Sequence, residues 1–200
     1  MHVLFFVEEP SAEAALTNLL PRLLPEQATF QSIVFQGKND LLNNLEARLR
    51  GYASWLPIDW RIVVLVDEDR QDCIQLKSQL EDAAKSAGLV SKGLAAGGCF
   101  QILNRIVVEE LEAWFIGDVE ALRQVYPCIP VSLAQRQKFR DPDHVPGGTW
   151  EALEAALQTC GYYPAGYPKV DAARKISLFM DPARNRSYSF QKFYQGLQAL

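Results

Sequence analysis

Histidine is scarce in this sequence: His2 and His144 are the only two. A catalytic triad or a metal site built on imidazole is therefore not expected. Cysteine is nearly as sparse. Cys73, Cys99, Cys128 and Cys160 lie far apart, and none stands at the Cys-x-x-Cys spacing of a zinc or redox motif. They read as reduced thiols of a cytoplasmic protein. No apolar run approaches the ~18 residues that a membrane span needs. The N-terminus also lacks the basic segment and long apolar core of a secretory signal. Net charge is −4, which excludes a strongly basic protein that coats nucleic acid but leaves room for a local basic patch. With so little nitrogen or sulfur to offer, any metal bound here would need oxygen ligands, which points to a hard cation such as magnesium, manganese or calcium.

What the sequence does have is a set of apolar runs that end in acids. Ile62 to Val66 is continuous and mostly β-branched, the pattern of a strand buried on both faces of a parallel sheet. It stops at Asp67-Glu68-Asp69. Val3 to Val7 is a second such run, and Glu8-Glu9 follows it. Thr29 to Gln36 reads as a further strand, and Phe100 to about Val108 as a fourth, leading into Glu109-Glu110-Leu111-Glu112. Between them lie amphipathic stretches. One begins at Ser11 as N-cap and is ended or kinked by Pro21. One is capped by Asn39 or Asp40, with Leu41, Leu42, Leu45 and Leu49 along a single face. One runs from Cys73 to Ala87, with Gly88 as its C-cap. Alternating strands and helices imply an α/β fold, a mainly parallel Rossmann-like sheet flanked by helices.

From Pro127 the composition turns rich in proline, with helical stretches at Ser132–Phe139, Trp150–Cys160, Val170–Met180 and Phe190–Leu200. Thr149 and Ser189 are the expected caps of the second and fourth. Asp118 is expected to cap the short helix that follows Gly117. The division expected is a core over residues 1–126 and a C-terminal helical extension, residues 127–200, packed on it.

The acids then form a pattern. If the first and third strands are neighbours, Glu8, Asp67, Asp69, Glu110 and Glu112 can meet at one edge of the sheet. Carboxylates so placed repel one another, and a divalent cation removes the conflict. Two such ions can clamp the attacking and leaving oxygens of a phosphoryl displacement. Several basic residues lie late in the chain, among them Lys169, Arg174 and Arg186, and offer a phosphate-binding rim.

At these residues the chain resembles the TOPRIM domain, shared by topoisomerases, primases and the OLD-family nucleases. More closely, it is similar to a bacterial family of TOPRIM-like domains of unknown function. The resemblance rests on VEEPSAEAAL, on VLVDEDR, on the block from Glu110 to Trp114, and on a late stretch: Pro168-Lys169, Met180-Asp181-Pro182, Asn185-Arg186-Ser187 and Ser189-Phe190. It implies a catalytic or metal-binding Glu8, metal-binding Asp67 and Asp69, and further acids at Glu110 and Glu112. It also directs attention to Lys169 as a catalytic residue, and to Arg186, with Arg174, for nucleic acid. The implied activity is Mg2+- or Mn2+-dependent hydrolysis of phosphodiesters. The alternative is a binding subunit beside a separate ATPase, since the chain carries no phosphate loop of its own. A receiver-like phosphoacceptor domain is a third reading, and a homo-oligomer is compatible with any of them. The sequence departs from the TOPRIM pattern twice: Glu9 replaces the glycine common after the first strand, and Ala12 stands where an acid often opens the helix.

Overall fold

The computed structural model describes all residues, 1–200. Four strands form one sheet: β1 (His2–Val7), β2 (Thr29–Val34), β3 (Trp60–Asp67) and β4 (Ile102–Val107). Their order is β2-β1-β3-β4, and every pairing is parallel. The expected mainly parallel sheet flanked by helices is thus the fold. No helix is long and apolar enough to cross a membrane.

The continuous apolar runs are explained by burial on both faces. Val3, Phe5, Val7, Val63, Leu65, Leu103 and Val107 belong to one apolar core, and Leu4, Phe6, Ile62, Val64, Val66 and Ile102 to the other. Successive strand side chains point to opposite faces, so odd and even positions sort into separate layers. The even layer is covered by α2 (Lys38–Ala53) and α3 (Cys73–Ser86). The odd layer is covered by α1 (Pro10–Leu23), by α4 (Glu112–Gly117) and α5 (Val119–Val125), and by three late helices. These are α6 (Thr149–Thr159), α7 (Lys169–Ser177) and α8 (Tyr188–Leu197). Helix α7 packs along α1, and α8 along β4. Residues after 126 therefore share a single core with the sheet.

Several local expectations are corrected. Helix α1 runs through Pro21 to Leu23, with Pro10 in its first turn and Glu9 as its N-cap rather than Ser11. Gly37 and Gly148, at φ of 92° and 95°, occupy the N-cap positions expected of Asn39 or Asp40 and of Thr149. The left-handed conformation turns the chain into α2 at least two residues earlier and into α6 one residue earlier, and glycine adopts it without steric cost. Ser187, not Ser189, caps α8, its Oγ accepting from the Phe190 N–H at 3.1 Å. The helix expected over Ser132–Phe139 is two 3₁₀ turns, Val131–Gln135 and Gln137–Phe139, because Arg136 between them is extended. The strand-to-helix register near Glu110 is also shifted: β4 ends at Val107 and α4 begins at Glu112. Gly117 and Asp118 fall as expected, with Asp118 Oδ1 accepting from the Ala121 N–H at 3.2 Å.

Candidate functional site

The strand order creates a crevice. From the carboxyl end of β1 the chain crosses through α1 to β2 on one side. From the carboxyl end of β3 it crosses through α3 to β4 on the other. In open α/β sheets ligands bind outside the carboxyl ends of the strands at such a reversal. Glu8 and Asp67 are the residues that flank it.

Strand β1 stops short of its neighbour. Val7 lies beside Leu65, so β3 continues past the last β1 residue. The Asp67 N–H then has no strand carbonyl beside it, and the Glu8 side chain takes that place: Oε1 accepts from Asp67 N at 3.2 Å. The other oxygen of Glu8, Oε2, is buried and has no partner, and the residue is only 6 % exposed. Burial, and then the charge of Asp69, raise the Glu8 pKa to about 7, against the pull of the Asp67 hydrogen bonds and of Lys38. Asp67 is pushed well above the usual carboxylate range, by burial first and then by the charges of Glu8, Glu112, Glu9 and Asp69. Glu112, 2 % exposed at the start of α4, is raised to about 7, chiefly by burial.

Lys169 reaches this group from the first turn of α7. Its Nζ is 3.8 Å from Glu110 Oε1 and lies 5.4 Å from the centre of the Trp150 ring. Burial opposes its charge, but Glu112, Glu110, Glu9 and Asp67 together hold its pKa above the ordinary value. A residue far off in the chain thus answers the acids that follow β1, β3 and β4.

The loops after β3 and β4 are tied to each other. Asp69 N donates to Glu109 O at 2.8 Å, and Glu109 N donates to Glu68 Oε2 at 3.1 Å. Asp69 and Glu109 both take left-handed conformations, at φ of 54° and 56°. Each costs on the order of 1 kcal/mol or more for a non-glycine residue. Lys38 braces the same corner, donating to Glu68 O at 2.8 Å and to Asp69 Oδ2 at 3.2 Å. In front of these loops lies a polar cleft of about 1020 Å³. Its walls come from Gln36–Asn39, from Asp69–Gln71, from Glu109 and Glu110, and from the loop at His144–Gly148 with Glu151.

The convergence expected of five acids is therefore only partly realised. Glu8, Asp67 and Glu112 share one buried electrostatic environment. Asp69 turns outward to Lys38. Glu110 accepts from the Trp150 N–H at 3.2 Å and from Thr149 Oγ1 at 3.4 Å, at the start of α6. As the side chains stand, no three of His, Cys, Asp or Glu are gathered closely enough to hold a metal ion. The donor chemistry still fits a hard divalent cation, because every candidate atom is a carboxylate oxygen and the orphaned Glu8 Oε2 lacks a positive partner.

The two arginines lie elsewhere. Arg174 is exposed and borders a small groove between α1 and α7 with Pro10, Thr17 and Asn18. Arg186 is taken up by the chain itself. Its guanidinium donates to Arg140 O at 3.0 Å, to Phe139 O at 3.3 Å and to Ile116 O at 3.4 Å. The expected rim of Lys169, Arg174 and Arg186 does not assemble, because the segment carrying Arg186 is occupied in holding α4 to α8.

Lys38 and Tyr167 escaped sequence reasoning. The Tyr167 hydroxyl is buried without a partner, and Glu112 is among the charges that bear on it. Lys38 sits in an ordinary polar turn, and no local pattern marks it. The lysine follows the left-handed Gly37, and that was the one signal available.

A comparison with protein families matches residues 7–198 to a domain of unknown function, DUF4276. The chain belongs to the DUF4276 family. No curated protein and no solved structure matches it. In this DUF4276 chain the match spans β2, β3, β4 and every helix, and takes in Glu8, Asp67, Glu112 and Lys169 alike.

Proposed function

We propose that this DUF4276 domain is a TOPRIM-like, divalent-metal-dependent phosphodiesterase acting on nucleic acid. The observation that carries the reading is the pair at the sheet reversal: Glu8 and Asp67 packed together, with a buried Glu8 oxygen lacking any partner. A carboxylate in that position needs a proton or a cation. Glu8 and Asp67 would hold Mg2+ or Mn2+, with Glu112 or Asp69 completing the ligand set. When bound, the ion supplies a water of lowered pKa and neutralises charge on the phosphate. Lys169 binds and orients the phosphate, and its approach from α7 lets it do so without leaving Glu110. Arg174 is free to meet a backbone phosphate farther along α7. Arg186 is given a structural part.

The test pairs binding with turnover. Calorimetry with Mn2+ should show saturable binding that Glu8→Gln and Asp67→Asn each weaken at least tenfold. Labelled single- and double-stranded DNA and RNA should be cleaved only with the ion, and not by Asp67→Asn. Cleavage that survives in Asp67→Asn, or in chelator, overturns the reading. A second reading, a non-catalytic subunit beside a separate ATPase, is favoured by the absence of a gathered ligand trio. Metal binding without cleavage of any substrate would select it.

A further inference from the structure

Away from the acids, two segments of the C-terminal half are clamped by tyrosines. The Tyr126 ring packs on Tyr162 with centroids 5.0 Å apart, and on Tyr163 at 5.9 Å. The Tyr126 and Tyr163 hydroxyls are 3.0 Å apart and hydrogen-bonded. Just beyond this clamp stand two cysteines. Cys128 is exposed in the turn closed by the Ile129 N–H donating to Tyr126 O at 2.9 Å, and Cys160 is the C-cap residue of α6. Cys160 packs partly against the core, and the Tyr126–Tyr162 and Tyr126–Tyr163 contacts hold its turn beside that of Cys128, whose thiol is close enough to act on it. Burial first, and then the Cys128 thiol, raise the Cys160 pKa to about 11. Cys73 and Cys99 lie elsewhere, in α3 and near the start of β4.

We infer that Cys128 and Cys160 are a built dithiol that closes reversibly to a disulfide. The oxidant class is a low-molecular-weight disulfide such as oxidised glutathione. The exposed Cys128 thiolate attacks one of its sulfurs, forming a mixed disulfide and releasing one thiol. The Cys160 sulfur then attacks Cys128 and expels the second thiol, passing its proton to that leaving group. The protein loses two hydrogens, and the small disulfide is reduced to two thiols. The order follows access: the exposed sulfur meets the oxidant and the half-buried one resolves. The bridge would close a loop that contains the His144–Gly148 wall of the polar cleft and the Thr149–Trp150 contacts of Glu110. Oxidation would thereby restrain one side of the candidate site.

The experiment incubates the reduced protein with oxidised glutathione and counts free thiols under denaturing conditions. Mass spectrometry then locates the bridge after trypsin digestion. Four thiols should fall to two, and the peptides 124–136 and 141–169 should appear joined, two hydrogens lighter than their sum. Cys128→Ser and Cys160→Ser should each retain three thiols before oxidant and form no bridge. Circular dichroism of both variants should match the parent. The melting temperature of the bridged form should rise by several degrees, since a loop of this length is constrained in the unfolded chain. Four thiols remaining free, a bridge between another pair, or a stable glutathione adduct on Cys128 in the parent protein would each overturn the inference.

Discussion

At the scale of single residues, proton binding by the buried acids should dominate the pH dependence of stability. Glu8 and Glu112 titrate near 7 in the folded protein, against 4.5 for an unperturbed glutamate. Between those values the native state holds protons that the unfolded chain has released, so the slope of stability with pH is negative. The stabilisation is gained as pH falls through about 7 and lost again as pH rises. Without divalent cation, the urea midpoint should increase from pH 8 to pH 5.5, corresponding to on the order of 2 kcal/mol of stability for each of the two groups. Glu8→Gln should raise stability at pH 8 and flatten the rise, because an amide needs no proton to be neutral. Excess Mn2+ should flatten it as well. A parent midpoint that stays level or falls over this range would show that these carboxyls are ionised throughout. Glu8 and Asp67 were legible in the sequence because each ends an apolar run, and a parallel strand can only deliver its last side chain to one edge. The roles of Asp69 and Glu110 were not legible, because their direction depends on Lys38 and on the start of α6, which no local pattern reveals.

At the scale of elements, the late Asn-Arg-Ser-x-Ser-Phe stretch is explained by what it holds together. Asn185 Nδ2 donates to Trp114 O at 2.8 Å, and the Trp114 indole N–H donates to Ser189 Oγ at 3.0 Å. Asp143, fully buried, accepts from Ser187 Oγ at 2.7 Å, Ser189 N at 3.0 Å and Ser189 Oγ at 3.0 Å. The close approach also requires Gly117: a Cβ there would stand 2.2 Å from Asn185 Oδ1. Read as sequence, this stretch suggested phosphate binding. Folded, it is a latch that ties α4, the 143 loop and α8, and polar residues at fixed spacing serve either purpose. Asp143→Ala should cost about 3 kcal/mol, since it strands several buried donors at once. Ser187→Ala removes the cap and one of the three hydrogen bonds to Asp143, and should cost about 2 kcal/mol. Urea denaturation of the two variants, run beside the parent, measures both. Equal small losses would mean that Asp143 contributes no more than the cap it supports.

At the scale of the whole molecule, the strands and their order follow from the runs of apolar residues and the helices between them, and these could be read directly. The part played by the C-terminal half was legible only in outline. Its helical stretches suggested an extension packed on the core and not an independent unit, but not that they supply much of the layer over one face of the sheet. Phe190 and Phe193 of α8 are fully buried, with ring centres 5.1 Å and 4.9 Å from that of Trp114. Arg22 of α1 donates to Ser177 O, and to Met180 O at 2.7 Å. Leu103 and Val107 of β4 lie in the same core as Leu197. A chain cut after residue 126 would expose all of this apolar surface, at about 25 cal/mol per Å², on a sheet whose second face would keep only α1, α4 and α5 over it. Residues 1–126 expressed alone should therefore lack a cooperative thermal transition and aggregate, whereas the full chain melts in one step. Addition of residues 127–200 in trans should not restore the transition, because the late helices have no separate core with which to fold first. A sharp, reversible melt of residues 1–126 alone would mean that the sheet and its early helices are a self-sufficient domain, and that Lys169 is brought to the acids by docking rather than by folding.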